Sequence, residues 1–279
     1  MIQNRKIIVV IPSGRKANLE ILLPYLFRDK GLIDEIHLWT NTAISSDLDY
    51  IFDISEKNSD FIKIVPPPMK QQLSGDSPYV VGCFYKFCSD PDAIYIKCDD
   101  DICFIENGTI EELVLFRIQN PKPFLVYPNI INNVIMTHIH QRLGCIPIED
   151  GICTYQDHCP NGLLSGEMAT KIHQNFLYQY TENNLNCYKF TQWTFWEFMR
   201  VSINFIVFFG EDIKNYSRED EDEEILSRII PYTLNRPCVI YGNKIVSHFS
   251  YLPQRPMPNE DSLLESYKKI MLKETGGLI

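Results

Sequence analysis

Residues 94–105, IYIKCDDDICFI, set an apolar run against three consecutive carboxylates, and this juncture restricts the fold more than any other stretch. Ile94, Ile96 and Cys98 alternate with Tyr95 and Lys97, the period of a largely buried β-strand. Asp99, Asp100 and Asp101 therefore emerge together at its C-terminal end. If strand geometry continues, Asp99 and Asp101 point to one side and Asp100 to the other. Carboxylates this close repel one another and partly protonate unless a cation offsets them. An all-oxygen set suits a hard divalent ion such as Mg2+ or Mn2+, which makes Asp99 and Asp101 candidate ligands. The plainer alternative is an acidic turn that closes a strand.

Upstream, the chain reads as repeated strand–turn–helix units. KIIVVIP, residues 6–12, is a short β-branched run of the kind buried in a parallel sheet, followed by the turn Pro12-Ser13-Gly14-Arg15. Leu19, Leu22, Leu23, Leu26 and Phe27 then recur at helical spacing, with Pro24 an expected kink and Gly31 a stop. Residues 33–39 and 61–65 read as further strands, and residues 46–55 as a short helix between them. Residues 69–78 read as a polar loop, and residues 79–88 look helical. In open α/β sheets ligands bind beyond the carboxyl ends of the strands. The turn with Pro12, Ser13 and Arg15, the strand end Thr40-Asn41, and the aspartates thus converge on one expected crevice. Arg15 and Lys86 are candidate phosphate or base contacts there, or ordinary surface cations.

After the triplet, Asn107-Gly108 marks a turn, and Thr109-x-x-Glu112 reads as a capping box opening a helix that ends before Pro121. Residues 124–127 form another expected strand. Residues 129–210 show fewer clean periods, as expected of a segment that lines a substrate site or packs irregularly. Within it Trp193, Phe195, Trp196 and Phe198 are suited either to stacking on a sugar face or to filling a core. His138 and His140 lie two apart, which only a strand places on one face. Six acids at 219–224 run into Ile225, Leu226, Ile229 and Ile230, the buried face of an expected helix. A helix N-terminus keeps carboxylates ionised, so Asp222 and Glu223 are candidate general bases; the alternative is a solvated charge patch. Residues 237–241 and 244–251 flank Gly242-Asn243 as an expected β-hairpin. His248 falls in its second strand, where a neutral imidazole can join a metal already held by two aspartates. Ser262-x-x-Glu265 reads as the cap of a last helix that Gly276-Gly277 ends.

At 279 residues the chain can bury a large core, and 45% hydrophobic content is globular. The first apolar run ends at Pro12 without a small-residue cleavage site, and no run approaches the length of a membrane span, so a soluble, cytoplasmic chain is expected. A net charge of −10 argues against coating nucleic acid while leaving room for a local phosphate pocket. Nine cysteines without C-x-x-C spacing suggest free core thiols.

With these pieces in order, the chain resembles nucleotide-sugar-dependent glycosyltransferases of the GT-A fold, closest in style to the large inverting family 2 group. The likeness rests on KIIVVIPSGR, on IYIKCDDDI with its D-x-D, on DEEILSR and on IVSHFSY, which span residues 6 to about 251. It implies one Rossmann-like α/β domain over residues 1–279, with a mixed, mostly parallel sheet flanked by helices and a C-terminal hairpin and helix. Residues 1–105 would form the nucleotide-binding half and 106–279 the acceptor and catalytic half. It also implies that Asp99, Asp100 and Asp101 hold the ribose and, through Mn2+ or Mg2+, the diphosphate of a UDP- or GDP-sugar, with UDP favoured. The sugar would pass to a carbohydrate acceptor with inversion. The family's Glu-Asp pair maps onto Asp222-Glu223 ahead of Leu226; the expected Asp is Glu223, and the Q-x-x-R-W signature is absent. Two rivals are a sugar-nucleotide pyrophosphorylase, which calls for a glycine-rich first turn, and a non-catalytic nucleotide- or sugar-binding protein.

Overall fold

Strands buried on both faces need crossover helices to cover them, and the first third of the chain supplies these in strict alternation. A computed structural model describes residues 2–67, 79–154, 165–213, 216 and 222–278. In it β1 (Ile7–Ser13), α1 (Lys16–Arg28), β2 (Glu35–Thr40), α2 (Ser45–Lys57) and β3 (Ile62–Val65) follow one another. Leu19, Leu22, Leu23 and Leu26 of α1 are fully buried, as their spacing predicts, and Pro24 sits inside that helix without ending it. Residues 81–87, within the stretch expected to be helical, form a 3-10 helix that leads into β4 (Ile94–Cys98). The strands run β3-β2-β1-β4, all parallel. Between β1 and β4 the strand order reverses direction, which opens a crevice at their carboxyl ends.

The rest of the chain builds the other side of the sheet. Its elements are β5 (Ile102–Ile105), α3 (Thr109–Gln119), β6 (Val126–Ile131), α4 (Val134–Arg142), α5 (Gly166–Thr181), β7 (Gln192–Phe195), β8 (Phe205–Phe209) and α6 (Gly210–Ile213). α7 (Asp222–Glu224), a π-helical turn at Ile225–Ile229, α8 (Ile230–Leu234), β9 (Cys238–His248) and α9 (Glu260–Thr275) complete it. The strand order continues β4-β8-β6-β9-β5, with β7 on β9. Six of the nine strands (β1, β2, β3, β4, β6 and β9) point one way and β5, β7 and β8 oppose them, so the sheet is mixed and mostly parallel. Residues 129–210, where clean periods are few and a site lining or irregular packing was expected, contribute helices α4 and α5 and strands β7 and β8.

Chain length forces this sheet to curl. Cys98 and Ile102 are four residues apart, at most about 14 Å of extended chain. Four interstrand spacings would hold β4 and β5 about 19 Å apart if the sheet were flat. A single residue pair, Val126 with Val207, joins β6 to β8, and the sheet splays there. The acidic triplet bridges the gap this curl closes.

Three local expectations are corrected. The hairpin at Gly242-Asn243 does not form: Cys238–His248 is one continuous strand, and the β6–β9 register slips between Tyr241 and Ile245. Gly242 is needed for close approach, since a Cβ there would lie 2.2 Å from the Phe190 carbonyl oxygen. Gly108, in the left-handed conformation, caps α3, and Thr109 Oγ1 donates to the Glu106 carbonyl, so no capping box forms. Asn259 precedes α9, which therefore starts before Ser262. The expected loop at 69–78 and acids 219–221 lie outside the described residues. The eight described cysteines are free thiols, and no helix among the described residues is long and apolar enough to cross a membrane.

Close approach at Gly242 predicts that both Gly242→Ala and Gly242→Asn destabilise the protein by about 1–3 kcal/mol in urea denaturation. A two-residue turn would tolerate Asn, so a silent Gly242→Asn would contradict this packing.

Candidate active site

Strand register assembles the site. β1 and β4 pair with Val10 beside Lys97, so the turn after Ser13 comes level with the aspartates that follow Cys98. The Gly14 and Arg15 backbone N–H groups donate to Asp100 Oδ2 at 2.9 and 3.0 Å, and the Arg15 guanidinium donates to Asp100 Oδ1. Gly14 is required there, because a Cβ would lie 2.8 Å from the Asn41 carbonyl oxygen. β8 brings Asn204 to Asp99: the Asp99 N–H donates to its carbonyl, and its side-chain amide donates to Asp99 Oδ2 at 3.0 Å. Pairing of β5 with β9 sets His248 opposite Ile102, with Nε2 at 3.3 Å from Asp101 Oδ1 and 3.9 Å from Asp99 Oδ2. Strand geometry does not continue past Cys98: residues 99–101 form a turn closed by the Ile102 N–H to the Asp99 carbonyl, and it is this turn that sets Asp99 and Asp101 toward His248 and Asp100 toward the Gly14 and Arg15 N–H groups.

Three protein cations answer the three carboxylates. Lys97 Nζ donates to Asp99 Oδ1 and to the Ile203 carbonyl. Arg15 bonds Asp100 and reaches Asp101 Oδ2 at 3.1 Å, where Arg255 Nη2 also lies at 3.1 Å. The cations that the triplet calls for are thus supplied by the fold itself. A metal site nonetheless fits. Asp99, Asp101 and His248 can each offer a ligand atom, all within 4.8 Å of one another. Asp101 Oδ1 is buried and accepts no hydrogen bond of ordinary geometry, leaving a lone-pair site turned toward His248. Two carboxylates and an imidazole are a donor set that Mn2+ or Mg2+ can use.

The electrostatics divide the acids into roles. Burial penalises the Asp101 carboxylate, but Arg15, His248 and Arg255 outweigh it and hold its pKa well below the usual carboxylate range. Burial pushes Asp100 upward, opposed by Arg15. Burial also works against the Lys97 ammonium, yet Asp99 and Asp222 keep it charged by raising its pKa. Asp222 is recessed in the cavity wall at the start of α7; burial, opposed by Lys97 and reinforced by Asp99 and Glu223, pushes it up to about 6. Glu223 is held by Arg200, whose Nε donates to Oε1 at 2.7 Å.

Pro12, Arg15, Asn41, the three aspartates, Asp222, Glu223 and His248 line one cavity of about 770 Å³. The Asn41 side chain grips the Tyr79 backbone through both N–H and carbonyl, presenting Tyr79 at the rim. Ser13 and Thr40 do not reach the cavity: their hydroxyls are spent on the Ile11 and Val65 carbonyls. Lys86 is exposed against the Phe87 ring, outside it. His138 and His140 lie on helix α4, not on a strand, and His140 is buried against Asn129 Oδ1, with burial lowering its pKa to about 3. Lys97, Asn204, Tyr251 and Arg255 belong to the site and were not anticipated. Lys97 left a readable signal, a lysine within an otherwise buried strand beside the triplet; Arg255 left none.

Removing the Asp101 charge leaves Arg255 without its carboxylate partner and Arg15 with Asp100 alone. With both guanidiniums about a third exposed, Asp101→Ala is predicted to cost about 1–3 kcal/mol in metal-free urea denaturation. A loss below about 1 kcal/mol would show that Asp101 does not hold Arg15 and Arg255.

No protein-family model matches the chain. No curated protein matches it either. Among solved structures it is similar to a CMP:2-keto-3-deoxy-manno-octonic acid synthetase complexed with CTP, at 13% identity and a TM-score of 0.47 over 96% of this chain and 99% of that one. It is also similar to S. aureus TarS 1-349, at 11% identity and a TM-score of 0.47 over 96% of this chain and 72% of that one. The same TarS fragment in complex with UDP-GlcNAc gives 10% identity and a TM-score of 0.46 over 96% and 66%. Likeness at this level of identity and overlap leaves function to be argued from the site itself.

Proposed function

We propose that the chain is a metal-dependent glycosyltransferase that moves a sugar from a nucleoside-diphosphate donor, UDP-sugar favoured, to a carbohydrate hydroxyl with inversion. The observation that carries this reading is the shared cavity, in which the Asp99, Asp101 and His248 ligand set and the recessed Asp222 line the same space. Mn2+ or Mg2+, held by those three side chains, would supply charge stabilisation to a departing diphosphate. Arg15 and Arg255 fix the ligand carboxylate of Asp101, and Arg15 with the Gly14 N–H fixes Asp100 for hydroxyl recognition on the donor. Tyr79, gripped by Asn41, offers a ring at the crevice rim for the base.

Asp222 is the general base of this reading. A carboxyl with a pKa near 6 is ionised at neutral pH yet basic enough to take a proton from an attacking hydroxyl. Glu223, committed to Arg200, positions the start of the helix. The pyrophosphorylase alternative is disfavoured because the Arg15 guanidinium is engaged by Asp100 and Asp101, where a triphosphate cradle needs it free. A non-catalytic binding protein remains the second reading and is distinguished by experiment.

Calorimetric titration of UDP and GDP with and without Mn2+ tests the donor site: one nucleotide should bind in a metal-dependent manner, and Asp101→Asn should lose that dependence. Binding of neither nucleotide under any condition would overturn the reading. Asp222→Asn should keep donor binding while lowering kcat by about 10²–10⁴-fold. Because the base acts ionised, the wild-type rate should fall as pH drops below about 6. An acid limb that survives in Asp222→Asn would assign the base elsewhere.

A further inference from the structure

A second cavity, of about 670 Å³, is not used by the chemistry above. Ile139 and Phe195 are buried beneath it, while Trp193 and Trp196 line it with their rings half exposed, at 50% and 62%. Around these rings stand Arg142, Gln192 and Glu197, all exposed and without ion pairs or side-chain hydrogen bonds among the described residues. Flat aromatic faces set among unspent planar donors and acceptors fit a pyranose, which presents C–H groups on its faces and hydroxyls around its edge. The opposite charges of Arg142 and Glu197 do not form the basic face that an anionic membrane attracts.

One segment lines both cavities. Met199 faces the second and Ile203 the first, so the two walls are joined by four residue steps, at most about 14 Å. That segment is pinned where it passes between them: Arg200 pairs with Glu223, the Val201 N–H donates to Ser227 Oγ at 2.9 Å, and Asn133 donates to the Ser202 carbonyl. From this contiguity we infer that the second cavity is a subsite for a neutral oligosaccharide, which seats rings distant from the reacting hydroxyl on Trp193 and Trp196. The inference deepens the transferase reading and rests on it for the identity of the first cavity. The acceptor class is then a glycan chain, because a monosaccharide cannot occupy both cavities.

Tryptophan fluorescence reads this site directly. The chain has three tryptophans, and the third, Trp39, is fully buried against Phe84. Malto-, cello- and chito-oligosaccharides, from the monosaccharide to the hexasaccharide, are titrated against wild type, Trp193→Ala, Trp196→Ala and Asp101→Asn, with UDP and Mn2+ binding measured in the same samples. One series should shift the emission with affinity rising with chain length, and each tryptophan variant should weaken it about tenfold. Asp101→Asn should retain the response. No response to any hexasaccharide at millimolar concentration overturns the inference, whatever the UDP result. Equal response to decyl maltoside and to decanol also overturns it, in favour of an alkyl-binding groove. Persistence of the oligosaccharide response without metal-dependent UDP binding would retain the subsite and remove the transferase reading.

Discussion

A buried carboxylate with two guanidiniums on one oxygen and an imidazole facing the other organises this molecule. Asp101 draws in Arg15 from the turn after β1, Arg255 from the segment after β9, and His248 from β9 itself. Segments far apart in the chain thereby meet at one point. Charges so placed are tolerated only when paired and hydrogen-bonded, because the cost of taking each from water is several kcal/mol. The pairing here is continuous: Lys97 serves Asp99, Arg15 serves Asp100 and Asp101, and Arg255 completes Asp101. The outcome is a compact acidic centre that is close to neutral before any ligand arrives.

Near-neutrality sets the terms on which a ligand binds. A divalent ion at Asp99, Asp101 and His248 would add two positive charges to a compensated cluster, and a diphosphate is a natural counter-charge. On the proposed reading a metal and a diphosphate would favour each other's binding in the same cavity, by the reciprocity that links any two ligands of one site. The curl of the sheet makes this possible, since a flat sheet would leave the triplet too short to connect β4 to β5 and would hold β9, with His248, away from Asp99.

How much of this was legible in the sequence differs from residue to residue. Period-2 alternation placed β4 and its aspartates, and helical spacing placed α1, because burial on one or two faces is written directly into residue order. The split of Asp99 and Asp101 from Asp100 is made by the turn that follows Cys98, not by continued strand alternation. Ser13 and Thr40 lie at the expected strand ends, yet their short hydroxyls are consumed by nearby carbonyls, a choice that spacing does not express. Gly242-Asn243 carried a turn signal and proved a close-contact glycine, because the Phe190 carbonyl that demands it lies 52 positions away in the chain. Arg255 and Asn204 reach the site through contacts of 154 and 105 residues' separation, beyond any local pattern.

By itself the sequence determined the alternating α/β layout, the apolar strands that must be buried, and the clustering of three carboxylates at a strand end. Each of these depends on neighbours within a few residues, where backbone periodicity dictates which way side chains face. The tertiary structure alone decided which cations answer those carboxylates, which of two adjacent acids at 222 and 223 is held by Arg200 and which is raised toward neutral pH, and that residues 199–203 join a second, tryptophan-lined cavity to the first. Those outcomes depend on desolvation and on charges brought together by the curl of the sheet, and neither exists until the chain has folded.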